Sequence, residues 1–297
     1  MQIKDVLIIG AGPAGIAAGI QLKRYGLDPV LLERAEIGGL LKNANLVENY
    51  PGFPGGIPGP ALVQRLKRQL MDFSLQVHRE EVTKVDLERG HYFLVKTEKN
   101  GYYSRNVVIA SGTKPRRFKE FEIPAEIEER IFYEVYPLLG VSEREIVIVG
   151  AGDAAFDYGL NLSRKNRITI LNRGQSIKCL PLLWERAQAE HQIEYFEKTA
   201  ITSIKPHPTA GMILDCTTPD GPVAFQADFL VGAIGREPAL DFLSEQVSAL
   251  AASLEQQGSL YFIGDVKNDI YRQTSISVGD GVRAAMQIYR KLKEIEP

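Results

Sequence analysis

The segment Val6-Leu7-Ile8-Ile9-Gly10-Ala11-Gly12-Pro13-Ala14-Gly15 limits what this chain can fold into more than any other. Its aliphatic run suits a parallel strand buried on both faces, and the Gly-x-Gly turn that follows leads into an Ala-rich helix. Each glycine has a task in such a unit. Gly10 permits the tight turn, Gly12 lets the backbone approach a pyrophosphate, and Gly15 allows helix and strand to touch. The helix N-terminus, at Pro13 and Ala14, then directs unpaired N–H groups and a partial positive charge at phosphates. The pattern returns as Ile146-Val147-Ile148-Val149-Gly150-Ala151-Gly152-Asp153-Ala154-Ala155, with Ala155 at the third glycine's place, a tolerated exchange.

Between the two repeats, Gln76-Val77 and Tyr92–Lys96 alternate like strands of a meander, with Asn100-Gly101 as a hairpin turn. Val107–Ala110 reads as a further buried strand ending at Ser111-Gly112-Thr113. Lys114-Pro115-Arg116-Arg117 and Gly235-Arg236-Glu237-Pro238 interrupt helical patterns and read as hinges. Beyond the second hinge, Leu260–Ile263 reads as a strand, Gly264-Asp265 as a turn and Ser277–Ile295 as a helix. The expected fold is α/β: two Rossmann-like three-layer nucleotide-binding domains, the second inserted into the first. Residues 1–114 and 237–297 are expected to form the first domain and residues 115–236 the second.

Composition narrows the function. With 297 residues, 44% of them hydrophobic, two ordinary cores can be built. A net charge of −2 leaves no cationic excess to displace phosphate counterions, so nucleic acid is not an expected partner. The two cysteines, Cys179 and Cys216, form neither a CxxC nor a metal-ligand spacing. They point to a reducing compartment, the cytoplasm, and each reads as a small core residue. Val6–Ile20 after Lys4 imitates a signal-peptide core, but its glycines stand at fingerprint spacing. The run is also too short to span a membrane, and no membrane association is expected.

Glu33 ends the strand Val30–Leu32, roughly 20 residues beyond the first turn, followed by Arg34. A carboxylate there accepts hydrogen bonds from ribose hydroxyls and repels a 2′-phosphate, which suits FAD or NAD. Asp265, after a strand, reads either as an N-cap or as a flavin-side residue, with a long helix behind it whose positive end suits a reduced flavin. In the second repeat the strand Ile168–Leu171 ends at Asn172-Arg173 with no carboxylate. Arg173, with Lys178 nearby, suits the extra phosphate of NADPH; the alternatives are a pair of solvated cations, or a nicotinamide site too thin to work.

These residues resemble the low-molecular-weight thioredoxin reductases and the thioredoxin-reductase-like ferredoxin–NADP reductases along nearly the whole chain. The resemblance rests on Gly10–Gly15, Gly38-Gly39, Val47–Pro54, Ala110–Thr113, Gly150–Ala155, Gly264-Asp265 and Tyr271-Arg272-Gln273. It implies an FAD-binding first domain, an NAD(P)-binding second domain with NADPH or NADH as donor, and a homodimer. It implies that Gly38 and Gly39, with Leu40, run along the flavin, that Asn49 approaches its ring, and that Asp265 binds the ribityl chain. Arg272, Gln273 and Thr274 would then lie at the pyrimidine edge, and Val82, Ala110, Ser111, Gly112 and Arg236 complete the candidate set.

One departure is chemical. Thioredoxin reductases carry Cys-x-x-Cys just before the second repeat, whereas this chain has Phe132-Tyr133-Glu134-Val135-Tyr136-Pro137. Disulfide exchange requires an attacking thiolate, so the family's dithiol route is closed here. The loop is closer to the ferredoxin-reductase branch, as is Asp157, although the long C-terminal extension of that branch is not expected. The sequence therefore points to a non-disulfide acceptor, such as ferredoxin or flavodoxin. Alternatives are a partner-fed electron relay or redox sensor, or a reductase whose thiols lie on a partner. Arg65, Lys67 and Arg68 read either as a steering patch for an acidic partner or as a solvated helix face.

Overall fold

A computed structural model describes residues 2–88, 92–209 and 211–295. The chain runs through β1 (Ile3–Ile9), α1 (Pro13–Arg24), β2 (Val30–Glu33), α2 (Gly59–Asp72), β3 (Val77–Arg79), β4 (Val82–Glu88), β5 (Tyr92–Thr97) and β6 (Gly101–Ile109) to a crossing strand, β7 (Thr113–Pro115). Next come β8 (Ile131–Phe132), β9 (Glu145–Val149), α3 (Asp153–Leu162), β10 (Arg167–Leu171), α4 (Pro181–Ala189), β11 (Ile193–Phe196), β12 (Ala200–Pro206), β13 (Met212–Thr218), β14 (Gly221–Ala227) and β15 (Phe229–Gly232). A second crossing strand, β16 (Arg236–Pro238), leads to α5 (Glu245–Gln256), β17 (Leu260–Phe262) and α6 (Thr274–Ile295).

Two compact units result. The first contains Met1–Lys42, Val47–Lys114 and Glu237–Pro297; the second contains Asn43–Leu46 and Pro115–Arg236. The sequence assigned Asn43–Leu46 to the first unit, but its bonds decide otherwise. Asn45 N donates to Asp157 Oδ2 at 3.0 Å, and Arg164 Nη2 donates to Asn45 Oδ1 at 2.7 Å.

The first unit's sheet runs β3-β2-β1-β6-β5-β4, with β17 also on β6. β6 serves two roles. Its first half, Gly101 to Ser104, pairs antiparallel with β5, and its second half, Val107 to Ile109, pairs parallel with β17. Val107–Ala110 is thus the continuation of a meander strand and not an element of its own. Val77–Arg79, expected in the meander, instead joins β2 in the parallel layer, because Leu31 pairs with Val77 and Leu32 with His78. The central strands are buried on both faces, as their unbroken aliphatic runs require: Val6, Leu7, Ile8, Val107, Val108 and Ile109 are at most 1% exposed.

The second unit repeats this plan: a parallel sheet β11-β10-β9-β15-β8 and a meander β12-β13-β14. Ile146 and Ile148 pack on α3 residues Ala155, Phe156 and Leu162, whereas Val147 packs toward Leu214 and Cys216 of the meander. Alternate residues of one strand thereby hold together three layers.

Candidate functional site

In the first unit, β1 feeds directly into the Gly10–Gly15 turn. Gly10 has φ of +105°, and a Cβ on it would lie 2.3 Å from Ala110 O. A Cβ on Gly15 would lie 1.9 Å from Gly10 O, so helix and turn are in backbone contact. In front of Gly12, by contrast, a Cβ would meet nothing within 4 Å, leaving open space beside the start of α1. α1 begins with Pro13, whose missing N–H is no loss in a first turn. Gly38 N donates to Ala11 O at 2.8 Å, and a Cβ on Gly39 would come 3.3 Å from Gly12 Cα, which brings Gly38, Gly39 and Leu40 alongside the turn.

Glu33 stands where β2 ends. Its carboxylate accepts from Ala11 N at 2.7 Å and from Ala35 N at 2.9 Å, a fixed orientation for a residue expected to read a ribose. Beside it opens a cleft of about 340 Å³, lined by Gly10, Glu33, Arg34, Val82, Ser111 and Asp241 among others. Five of these six are sequence candidates; Asp241 is not. Lys114, also in the lining, pairs with Asp241 and Glu237, and its hydrogen bond to Asp241 holds the ammonium above the ordinary lysine range. Ala239 N bonds Gly112 O at 3.1 Å and Ser111 Oγ bonds Ala239 O at 2.7 Å, so the returning chain closes one wall. No sequence periodicity announces Asp241 or Phe242, because only tertiary pairing brings them to β4.

The C-terminal segment reaches the same turn. A Cβ on Gly281 would lie 2.2 Å from Ala14 O, and one on Gly264 would lie 2.8 Å from Ala14 Cβ. α6 therefore crosses α1 at backbone contact, and its Ser277 Oγ donates at 3.2 Å to Oδ1 of Asp265 in the turn after β17. Asn49 Nδ2 donates to Gln273 Oε1 at 2.8 Å, uniting two candidates from opposite ends of the unit. Arg272 Nε, next in line, is buried with no hydrogen-bond partner among the described residues, a state that invites an acceptor. Thr274 begins α6, three residues earlier than the sequence suggested.

In the second unit Gly150, at φ +150°, packs against Ala233 O, while a Cβ on Gly152 would meet nothing within 4 Å. Ala155 is fully buried, so its methyl is accommodated where the first turn has glycine. Ala154 follows Asp153 in the first turn of α3, and Asp153 Oδ1 accepts from Leu180 N at 2.7 Å. Lys178 N donates to Ala151 O at 2.8 Å, which sets that lysine next to the turn. Asn172, also expected at the nucleotide, is held within its own loop. It is 6% exposed, its amide donates to Tyr195 Oη and Ser176 O, and its Oδ1 accepts from Gly174 N. It shapes the loop that presents Arg173, whose side chain is 80% exposed and 3.4 Å from Glu120.

The Phe132–Pro137 segment is packed and polar. Tyr133 Oη accepts from Phe118 N at 3.1 Å, and Arg117 lies over the Tyr133 ring. Glu134 Oε1 pairs with Arg236 at 3.4 Å, and Asn43 Nδ2 reaches Glu134 Oε2 at 3.3 Å. Arg236, a cofactor candidate, is thus engaged within its own unit. Nearby, burial pushes the Tyr158 phenol up to about 12, with Arg236 opposing. Both cysteines are free thiols. Cys216 is 1% exposed, and burial pushes its thiol up to about 11. Cys179, only partly buried, is also raised, first by burial and then by Asp153. Among the described residues no His, Cys, Asp and Glu cluster is placed to hold a metal ion, and no helix is long and apolar enough to cross a membrane.

Two Rossmann-like units, each with a glycine turn that faces open space at the start of its helix, define a two-dinucleotide flavoprotein architecture. The chain belongs to the pyridine nucleotide-disulphide oxidoreductase family, whose model matches residues 4–281. It is 30% identical to a thioredoxin reductase of Mycolicibacterium smegmatis, over 98% of this chain and 97% of that protein. The crystal structure of Lactococcus lactis thioredoxin reductase in its FR conformation superposes with a TM-score of 0.86 at 26% identity, covering 98% of this chain and all of that one. A bacillithiol disulfide reductase of Bacillus cereus shares the fold, with a TM-score of 0.75 at 19% identity over 98% of this chain and 100% of that one. The chain is accordingly an FAD-dependent NAD(P)H oxidoreductase. Its residues fit that pair of nucleotides: open space faces Gly12 and Gly152, Glu33 borders a cleft, and Arg272 Nε lacks an acceptor among the described residues.

Proposed function

We propose that this oxidoreductase delivers electrons from NADPH through FAD to an acceptor that is not a disulfide of its own, such as a ferredoxin or flavodoxin. The observation that carries this is the Tyr133-Glu134-Val135-Tyr136 loop, engaged in packing and an ion pair where a dithiol would stand, together with two cysteines whose thiols are raised. A raised thiol is a poor nucleophile at neutral pH. FAD supplies hydride acceptance and one-electron release. The protein's part is to hold and orient. Gly10, Gly12, Pro13, Ala14 and Gly15 hold the FAD pyrophosphate, Glu33 the adenosine ribose, and Val82, Ala110, Ser111 and Gly112 the walls around it. Gly38, Gly39, Leu40, Asn49, Gly264, Asp265, Arg272, Gln273 and Thr274 orient the rest, with the positive end of α6 favouring a reduced flavin. Gly150, Gly152, Asp153, Ala154 and Ala155 hold the nicotinamide nucleotide, and Arg173 with Lys178 selects the 2′-phosphate. A homodimer and a cytoplasmic setting, in keeping with two free thiols, belong to the same proposal.

The test is anaerobic rapid mixing of the yellow protein with NADPH and with NADH while the flavin absorbance is followed. Fast bleaching, followed by reoxidation on adding ferredoxin or flavodoxin, is expected. Absence of bleaching with both nucleotides overturns the proposal. A second possibility is favoured by the name of one relative, a thioredoxin reductase. Under it the thiols belong to the partner, and reoxidation then requires a dithiol protein.

A further inference from the structure

A second cavity of the first unit lies outside every residue set so far assigned to a nucleotide. It holds about 440 Å³ and is bounded by β17, the turns at either end of that strand, and one stripe of α6. Asp280, Arg283, Ala284, Gln287 and Lys291 form the stripe, at the spacing that puts helix residues on one face. β17 pairs with β6 alone among the described strands, so its other edge lines the groove.

The charges in the groove are unbalanced. Lys267 and Arg283 make no ion pair or side-chain hydrogen bond among the described residues, and Lys291 bonds only the carbonyl of Gly258 at 2.9 Å. Two carboxylates, Glu255 and Asp280, oppose these three cations, which leaves one positive charge in excess, and the position of Asp280 is fixed by neutral donors. Asp280, 8% exposed, accepts from Gly264 N at 3.1 Å and from Asn268 Nδ2 at 2.6 Å. The Asn268 bond also clamps the turn bearing Lys267 against the helical turn bearing Arg283, so the two cations share one end. Lys291 marks the other, about 12 Å farther along the helix at 1.5 Å per residue. Burial lowers the Lys291 ammonium from its ordinary range, so an anion that restores its charge is favoured there.

We infer that this groove binds a phosphate-bearing small molecule with a second anionic group, the phosphate between Lys267 and Arg283 and the second group at Lys291. Its volume lies within the range of small-ligand sites, about 300–1,000 Å³. Gln256, Gln257 and Gln287 supply amides for the polar body between. The site stands whatever the electron acceptor proves to be.

The FAD-loaded full chain, saturated with NADP+ so that the nicotinamide turn is filled, is titrated calorimetrically at low ionic strength. The probes are fructose 1,6-bisphosphate and fructose 6-phosphate. The bisphosphate is expected to bind about tenfold more tightly than the monophosphate. Lys291→Met should abolish that difference, and Arg283→Gln and Lys267→Gln should each weaken both ligands. FAD absorbance and thermal midpoint verify that each variant is folded; Arg283 and Lys267 are exposed, so both should be. No heat with either probe, or binding indifferent to all three variants, overturns the inference. So does a fall in native mass from dimer to monomer in Arg283→Gln, which would make the groove a subunit interface.

Discussion

The two glycine turns contain a built-in comparison, because position 15 is Gly and its counterpart, position 155, is Ala. In Gly15→Ala the new Cβ would lie 1.9 Å from Gly10 O and 3.3 Å from Ala110 Cβ. An ordinary non-bonded contact is about 3.5 Å, so α1 must withdraw by about 1.5 Å. Neither neighbour is the free end of a side chain; one is backbone and the other a short methyl on a buried strand end. Overpacking of this kind costs about 1–3 kcal/mol. The larger loss is functional. Hydrogen bonds to a charged group contribute about 1.5–3 kcal/mol each, and a displacement of this size breaks those from the first turn of α1. Two such bonds correspond to roughly 150- to 20,000-fold in FAD affinity. The reverse exchange, Ala155→Gly, removes a buried methyl without a clash and should cost about 1 kcal/mol through helix propensity. The assay is FAD content after desalting, together with the thermal midpoint with and without added FAD. Gly15→Ala should emerge colourless and gain little from added FAD, whereas Ala155→Gly should stay yellow. Stoichiometric FAD in Gly15→Ala would refute the steric reasoning.

Other outcomes follow from single residues. Arg173→Ala should raise KM for NADPH about tenfold more than for NADH, since only the former loses a 2′-phosphate contact; equal losses would refute a phosphate role. Its thermal midpoint should not move, because the exposed pair with Glu120 contributes at most about 1 kcal/mol. The double variant Cys179→Ala/Cys216→Ala should keep its electron transfer from NAD(P)H to ferredoxin, and a dead enzyme with intact FAD would show that thiols take part. Cys216, buried and raised to about 11, should resist iodoacetamide in the native protein at about pH 8 and react after unfolding, as mass spectrometry would record. Glu33→Gln keeps the shape but not the charge beside Ala11 N; weaker FAD retention without loss of secondary structure is expected, checked by equilibrium dialysis.

What could be read from the chain alone was local. Gly10, Gly12 and Gly15 are dictated by atoms a few residues away, so their spacing carries the turn and helix start together. Glu33 is legible for the same reason, since one strand and one helix set its distance from the turn. Aliphatic runs located β1, β2, β9 and β10, though not β15, which lies between β9 and β8, and the lack of a second thiol near either cysteine was plain in the letters.

Tertiary structure decided whatever depends on register and on residues distant in sequence. Asn49 meets Gln273 across 224 positions, and Glu134 meets Arg236 across 102. No periodicity predicts such pairs, because neither residue's own neighbourhood determines where its partner will lie. The double use of β6, the capture of Asn43–Leu46 by the second unit, and the commitment of the Asn172 amide to Tyr195 arise in the same way. A side chain's type limits what it can bond, and only packing settles which partner it finds. The presence of two nucleotide turns follows from short-range sterics; the walls around them, and the groove that gathers Lys267, Arg283 and Lys291, exist only once the chain has closed on itself.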